Sequence, residues 1–287
     1  MAKIHITKEE LFDFIKAALR EDVGEGDVTS LACIPSDARA KAKLLVKDAG
    51  ILAGVEFAKH VFEFLDASYQ IEIFKQDGDD VMYGDVAFHV ECNTRALLQA
   101  ERLVLNTMQR MSGIATLSSQ FAFEVQGTKA KILDTRKTTP LFRMIEKWAV
   151  RIGGCHNYRD GLYDRFMPKD NHNDAAGGIS NAIQRIIDYK KTNNIDLPVT
   201  VEVRNFVELY EVLEIGSVDR IMLDNFELPL MREAVQIVDG RFEVEASGGI
   251  TLNTVAAVAR TGVDFISSGA LTHSAQSFDL SLKIIKD

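Results

Sequence analysis

From Gly127 onward the chain alternates short apolar runs with stretches of helical period, and this alternation narrows the possible folds more than any other feature. The runs are Ala130 to Leu133, Arg165 to Met167, Val199 to Val203, Arg220 to Leu223, Phe242 to Ala246 and Asp264 to Ile266. Strands separated by helices pair in parallel through right-handed crossovers. About 160 residues remain for this part, whereas a full eightfold barrel typically takes about 250. The expectation is an incomplete parallel α/β barrel of six or seven strands.

The residues at the C-terminal end of each run carry the chemistry. The first run leads into Asp134-Thr135-Arg136-Lys137, the second into Lys169-Asp170-Asn171-His172, and the third contains Glu202. The fourth ends in Asp224-Asn225, the fifth in Ser247-Gly248-Gly249, and the sixth in Ser267-Ser268-Gly269 followed by Ala270. Parallel strands of a barrel place their C-terminal ends on one face, where active sites are built. Charges inside apolar runs are expensive unless paired or bound to something. Arg136, Lys137, Lys169 and Arg159 bring four cations to that face, and their natural partner is a polyanion. The two glycine-bearing turns, each followed by a helical run, suit a phosphate held by backbone N–H groups. Glu202 and Asp224 suit Mg²⁺, ribose hydroxyls or developing positive charge. No Walker A loop and no dinucleotide fingerprint occurs.

Before Gly127 the pattern differs. Thr7-Lys8-Glu9-Glu10 is a capping box, with Ile6 and Leu11 placed as a hydrophobic staple, so a helix is expected to begin there. Residues 41–89 read as β-structure, with runs at Lys43 to Val46, Tyr69 to Phe74 and Val86 to Val90. A long helix is expected from Thr94 to about Val125, bent at Gly113. The expected division is an N-terminal α/β sandwich over 1–112 and a barrel over 113–287.

Composition closes other routes. The 42 acidic and 33 basic side chains give a net charge of −9, which argues against a nucleic-acid coat or an anionic-membrane patch. No apolar run approaches the roughly 20 residues that cross a bilayer. Met1-Ala2-Lys3 leads into an amphipathic helix and not into a signal-peptide core, so a cytosolic protein is expected. Cys33, Cys92 and Cys155 match neither a disulfide framework nor zinc spacing.

Ordered motifs along the whole chain resemble one family, the quinolinate phosphoribosyltransferases of NAD biosynthesis. They include Glu21-Asp22-Val23-Gly24-Glu25-Gly26-Asp27-Val28-Thr29-Ser30, Gln109-Arg110-Met111-Ser112-Gly113, Thr135-Arg136-Lys137-Thr138-Thr139-Pro140, Lys169-Asp170-Asn171-His172, Met222-Leu223-Asp224-Asn225, Glu245-Ala246-Ser247-Gly248-Gly249 and Ser268-Gly269-Ala270-Leu271-Thr272-His273. The resemblance implies an N-terminal sandwich, an incomplete barrel, final residues that return to the N-terminal domain, and a homodimer whose N-terminal domain covers the partner's barrel mouth. It implies phosphoribosyl transfer to quinolinate with decarboxylation, Mg²⁺ arriving with phosphoribosyl pyrophosphate, and no organic cofactor.

By the same resemblance, Thr135, Arg136, Lys137, Arg159 and Lys169 bind quinolinate and pyrophosphate, and Arg102 reaches into the other subunit's site. Glu202 and Asp224 contact ribose and Mg²⁺, and Ser247, Gly248, Gly249, Ser268, Gly269 and Ala270 cradle the 5-phosphate. The catalytic set is Lys137, Lys169, Glu202 and Asp224. Two positions depart from the family pattern. Tyr158 precedes Arg159 where the family reads His, and Leu141 follows Thr138-Thr139-Pro140 where it reads Gly. Alternatives are a paralogue of the same fold with another acceptor, a Schiff-base aldolase using Lys169, and a non-enzymatic sensor of phosphorylated ligands. Taken apart from the resemblance, Arg102 and Arg110 read as solvated charges and Asp27 as a helix cap.

Overall fold

A computed structural model describes residues 6–285; Met1-Ala2-Lys3, on which the leader reading rests, lie outside them. In chain order the elements are α1 (Lys8–Val23), α2 (Val28–Cys33), β1 (Arg39–Val46), β2 (Gly50–Ile51), α3 (Val55–Leu65), β3 (Gln70–Ile73), β4 (Asp80–Val81), β5 (Val86–Asn93), α4 (Thr94–Glu124), β6 (Lys131–Leu133) and α5 (Arg143–Ile152). Then follow α6 (Asp170–Ala176), α7 (Ile179–Asn193), β7 (Thr200–Val203), α8 (Phe206–Ile215), β8 (Arg220–Asp224), α9 (Leu228–Val238), β9 (Glu243–Ser247), α10 (Leu252–Ala259), β10 (Phe265–Ser267), α11 (Ala270–His273) and β11 (Leu280–Ile284). They form two compact units. The first gathers residues 6–117, 144–153 and 275–285, and the second 118–143 and 154–274.

The first unit is an antiparallel sheet, ordered β11-β1-β5-β3, with helices. The capping box forms as expected: the Thr7 hydroxyl accepts from the Glu10 N–H at 3.2 Å, and Glu10 accepts from the Thr7 N–H at 2.9 Å. Asp27 caps α2 through the Ser30 N–H at 3.0 Å. The β reading of residues 41–89 missed α3, whose buried Val55, Ala58, Val61 and Phe62 follow helical spacing. Its first turn is capped from afar, by Asp77 accepting from the Val55 N–H at 2.7 Å. A cap 22 residues away leaves no local signature.

Gly113 lies within the continuous helix α4. A Cβ there would lie 1.8 Å from the Gln276 carbonyl oxygen, so the missing side chain lets the returning C-terminal strand pass against α4. That strand, β11, pairs antiparallel with β1 from Ala42↔Ile284 to Val46↔Leu280. Arg110 is no solvated charge: it donates to the fully buried Glu146 at 2.7 and 3.0 Å and to the Ala275 carbonyl at 3.0 Å. This pairing draws residues 144–153, which the sequence reading assigned to the barrel, into the first unit.

The second unit is a parallel sheet ordered β6-β10-β9-β8-β7. Single parallel bridges extend it at both ends, Leu133↔His156 beside β6 and Phe166↔Val199 beside β7. The order around the barrel is therefore His156, β6, β10, β9, β8, β7, Phe166, which gives the expected incomplete α/β barrel. The second apolar run fails to become a full strand for a chemical reason. Phe166 donates to the Pro198 carbonyl, Thr200 to the Phe166 carbonyl and Glu202 to the Pro168 carbonyl, at 2.9 to 3.2 Å. The missing rung belongs to Pro168, which has no N–H.

Inside the barrel, Arg220 on β8 is buried and forks onto Glu243 at 2.9 and 3.0 Å and onto the fully buried Glu245 at 3.1 Å. Its guanidinium lies 3.6 Å from the Phe265 ring centroid. Burial pushes the Glu245 carboxyl upward against the opposing pull of Arg220.

Two outcomes are expected in chemical unfolding. Glu245→Ala strands a buried guanidinium and should destabilise by about 3 to 5 kcal/mol, whereas Glu243→Ala at the half-exposed position should lose far less. Leu141 has φ +62° and is 96% exposed, a left-handed backbone that a glycine adopts freely. Leu141→Gly should therefore raise stability by roughly 0.5 to 1 kcal/mol, the relief of strain less the entropy glycine adds to the unfolded chain.

Candidate active site

The C-terminal ends of β6 to β10 lie on one side of the second unit because parallel strands in register put them there. Except for Arg102, every candidate belongs to this unit. Arg102 is exposed on the α4 segment of the first unit.

After β6, the Thr135 hydroxyl accepts from the Lys137 N–H at 3.0 Å, and the Thr272 hydroxyl donates to the Lys137 carbonyl at 2.8 Å. These bonds shape the turn that presents Arg136 and Lys137. The Lys137 stem runs close over Gly269, where a Cβ would meet its Cδ at 2.8 Å. Gly269 is thus needed for the lysine to lie across it, not only for access of a ligand to its backbone.

Arg136 and Arg159 are close enough to interact. Arg159 is held below the ordinary guanidinium value, first by burial and then by the charge of Arg136. The Arg136 Nε is buried and has no acceptor among the described residues. The carboxylate that offsets Arg159 is Asp164, while the fully buried Asp134 accepts from the Tyr158 N–H at 2.8 Å and from the Asn157 side-chain amide at 2.5 Å. A cavity of about 410 Å³ opens beside Arg159, lined also by Arg165, Arg185 and His172 among apolar side chains and by no carboxylate.

Tyr158 turns inward. Its hydroxyl donates to the Thr200 hydroxyl at 3.0 Å, and its ring lies 5.2 Å from the Arg220 guanidinium and 5.5 Å from that of Arg165. Burial, then the nearby Glu245, raises its phenol well above the ordinary range. It is a neutral wall residue and does not replace an imidazolium.

Lys169 pairs through Nζ with the buried Glu202, which also accepts a long bond from the Asp170 N–H at 3.5 Å. The His172 ring accepts from the Lys169 N–H at 3.3 Å, so His172 orients the lysine's backbone. Asp224 stands at the end of the next strand, its carboxyl raised by burial and then by the like charge of Glu202. Two carboxylates that repel each other suit a divalent cation carried by a phosphate ligand. Among the described residues no group of three or more His, Cys, Asp or Glu is arranged to hold a metal alone.

The glycine turns divide their labour. Gly248 has φ +100°, and a Cβ there would collide with Asn225 at 2.2 Å. Gly249 faces open space, and no acceptor among the described residues takes the N–H groups of Gly248, Gly249 or Gly269. Ser268 is different from the expectation: its N–H donates to the Leu133 carbonyl at 3.0 Å and its hydroxyl to the Ile250 carbonyl at 2.7 Å. Both donors are spent tying three loops together, and the Ala270 N–H leans on the same hydroxyl at 3.3 Å. Ser247 keeps its place at the end of β9, beside a cavity of about 490 Å³ that Gly248 and Gly249 also line.

Sequence reasoning missed Asp134 and Tyr158 as organisers of this face, and Arg143, which donates to the Thr138 hydroxyl at 3.0 Å and to the Asp160 carbonyl at 2.7 Å. Asp134 had a signal, an acid directly ahead of two cations. Arg143 had none.

Comparison with known proteins agrees with this geometry. Residues 27–112 match the quinolinate phosphoribosyl transferase N-terminal domain and residues 114–283 the C-terminal domain of the same family. The chain is 48% identical over 285 residues to a chloroplastic nicotinate-nucleotide pyrophosphorylase [carboxylating] of Arabidopsis thaliana, covering 94% of this chain and 81% of that protein. It is 40% identical over 264 residues to a probable nicotinate-nucleotide pyrophosphorylase [carboxylating] of Bacillus subtilis, covering 92% and 90%. The crystal structure of NadC from Streptococcus pyogenes superposes with a TM-score of 0.90 at 37% identity, over 99% of this chain and all of that one. With both domain models matched end to end and relatives this similar along nearly their whole lengths, the chain belongs to the quinolinate phosphoribosyltransferase family.

Proposed function

We propose that the protein transfers the phosphoribosyl group of phosphoribosyl pyrophosphate to quinolinate and releases CO₂, pyrophosphate and nicotinate mononucleotide. The observation that carries this reading is the set of cations at the strand ends, Arg136, Lys137, Arg159 and Lys169, beside two carboxylates on the neighbouring strands. Quinolinate brings two carboxylates and the donor two phosphate groups, which together satisfy guanidinium and ammonium groups that otherwise repel. Relatives named as carboxylating pyrophosphorylases support the same chemistry.

The residues divide as follows. Arg136 and Arg159 grip the pyridine dicarboxylate and fix its ring nitrogen toward ribose C1. Glu202 and Asp224 hold the ribose hydroxyls and stabilise positive charge as the bond to pyrophosphate breaks. Mg²⁺ entering with the donor neutralises the leaving pyrophosphate. Lys137 serves both the dicarboxylate and the pyrophosphate, Lys169 lies along the pyrophosphate path, and the N–H groups of Gly248, Gly249 and Gly269 take the 5-phosphate. Once the ring nitrogen carries the sugar and a positive charge, the carbanion left by CO₂ at ring C2 adjoins a cation, and a proton takes its place.

The Schiff-base reading is disfavoured by geometry: an imine-forming lysine works as a free amine, and Lys169 is engaged by Glu202. A homodimer in which Arg102 completes the partner's site, and a cytosolic location, belong to the same proposal. No helix among the described residues is long and apolar enough to cross a membrane.

The direct test is incubation with phosphoribosyl pyrophosphate, Mg²⁺ and quinolinate, with CO₂ and nicotinate mononucleotide measured; absence of both products refutes the reading. Lys137→Ala and Arg159→Ala should each weaken quinolinate binding by about 1.5 to 3 kcal/mol, read by calorimetry. Mixing Arg102→Ala with Lys169→Ala subunits should restore about a quarter to half of the activity, since a randomly formed mixed dimer keeps one intact site. Because burial and Glu202 raise Asp224, and both carboxylates act ionised, the acid limb of kcat/KM should lie above the ordinary aspartate range. Asp224→Asn should abolish that limb along with most of the rate.

A further inference from the structure

We infer that Arg143 is a positioning residue for acceptor recognition: it braces together the two loops that carry Arg136 and Arg159. The inference rests on the proposed reaction for its kinetic consequence, but not for its structural one.

The barrel is open between the His156 and Phe166 segments. His156 and Phe166 are joined to the sheet by one bridge each, on opposite sides of the gap. The loop after His156 therefore leaves the sheet from a single bridge, whereas the loop after β6 leaves from a strand laddered to β10. Each carries one guanidinium that the acceptor site needs, and Arg136 opposes the charge of Arg159 directly. Like charges in a partly buried place push their loops apart.

Two side chains counter this. Asp134 ties the foot of the first loop to Asn157 and Tyr158, as described above. Arg143 ties the far end. Its Nε donates to the Thr138 hydroxyl, two residues beyond Arg136, and its Nη1 donates to the Asp160 carbonyl, the residue after Arg159. A planar fork donating in two fixed directions sets a distance as well as an attraction, which a lysine cannot do. The span between the two substrate cations is thus fixed at both ends, by a buried anion at the foot and a guanidinium at the tip. Glycine is absent from this loop where the family reads it, at Leu141, so the tether and not a relaxed turn governs its shape.

Two measurements test this. In the first, hydrogen exchange is followed by mass spectrometry in segments 134–142 and 156–164 of the unligated protein. Arg143→Lys should speed exchange in both segments together, by about tenfold or more, and leave 245–251 unchanged, because local opening is set by local ties. Unchanged exchange in 156–164 overturns the brace whether or not the protein turns over quinolinate. In the second, Arg143→Lys should raise KM for quinolinate by about tenfold or more, since small misplacement of binding groups carries large penalties. KM for phosphoribosyl pyrophosphate should stay within about twofold, as its phosphate cradle lies on other loops.

A merely structural role would move both KM values and the melting temperature together, and that result would remove Arg143 from acceptor positioning. Thr138→Val takes away only the Nε partner. It should produce the same pattern more weakly, and should add little to Arg143→Lys in the double variant. Full additivity of the two changes would overturn the shared brace. If Arg143→Lys does not fold, Thr138→Val alone decides, by the same two readouts.

Discussion

Arg136 and Arg159 lie close enough that the charge of Arg136 acts on Arg159, which burial already disfavours, and this crowding of cations is the condition that the rest of the site answers. Asp164 offsets the charge of Arg159, Asp134 ties the two loops through Asn157 and Tyr158, and Arg143 hydrogen-bonds both loops from the rim. An anionic acceptor completes the balance. Cations held in place by protein groups make a site that favours an anionic ligand. The neighbouring carboxylates obey the same rule with opposite sign. Glu202 is paired with Lys169, while burial and the charge of Glu202 raise Asp224, so the two carboxylates favour a cationic centre.

Beneath the mouth, the barrel interior holds a second charged layer that has no part in the chemistry. Arg220 joins Glu243 and Glu245, and Tyr158 joins Thr200, while one buried oxygen of Glu245 has no hydrogen-bond partner among the described residues. This layer explains why Tyr158 is tolerated where the family reads His. Its ring is clasped by two guanidinium groups and its hydroxyl is taken by Thr200, so the position serves the barrel floor.

Much of this was legible in the sequence. The six apolar runs located β6 to β10 and the Phe166 bridge, and the polar residues after each run located the mouth, because register in a parallel sheet converts position along the chain into position on a face. The Thr7 capping box and the Asp27 cap were legible because their partners lie three residues away. Less accessible were contacts whose partners lie far along the chain: the Asp77 cap of α3, the Arg110 to Glu146 pair that draws 144–153 into the first unit, and the Gln276 backbone that requires Gly113. Ser268 shows the same limit at the site. Its motif placed it beside a phosphate, but its two donors are consumed by Leu133 and Ile250.

The sequence by itself determined the alternation of strand and helix, the chemical character of each strand end, and the family. Those properties are written in local pattern and residue type. Tertiary structure alone decided which cations confront each other, which acids neutralise them and where the barrel stays open, because these depend on distances between residues remote in the chain. Even the missing rung at Pro168 needed both: a proline is visible in the sequence, but only the neighbouring strand shows which hydrogen bond its missing N–H leaves unmade.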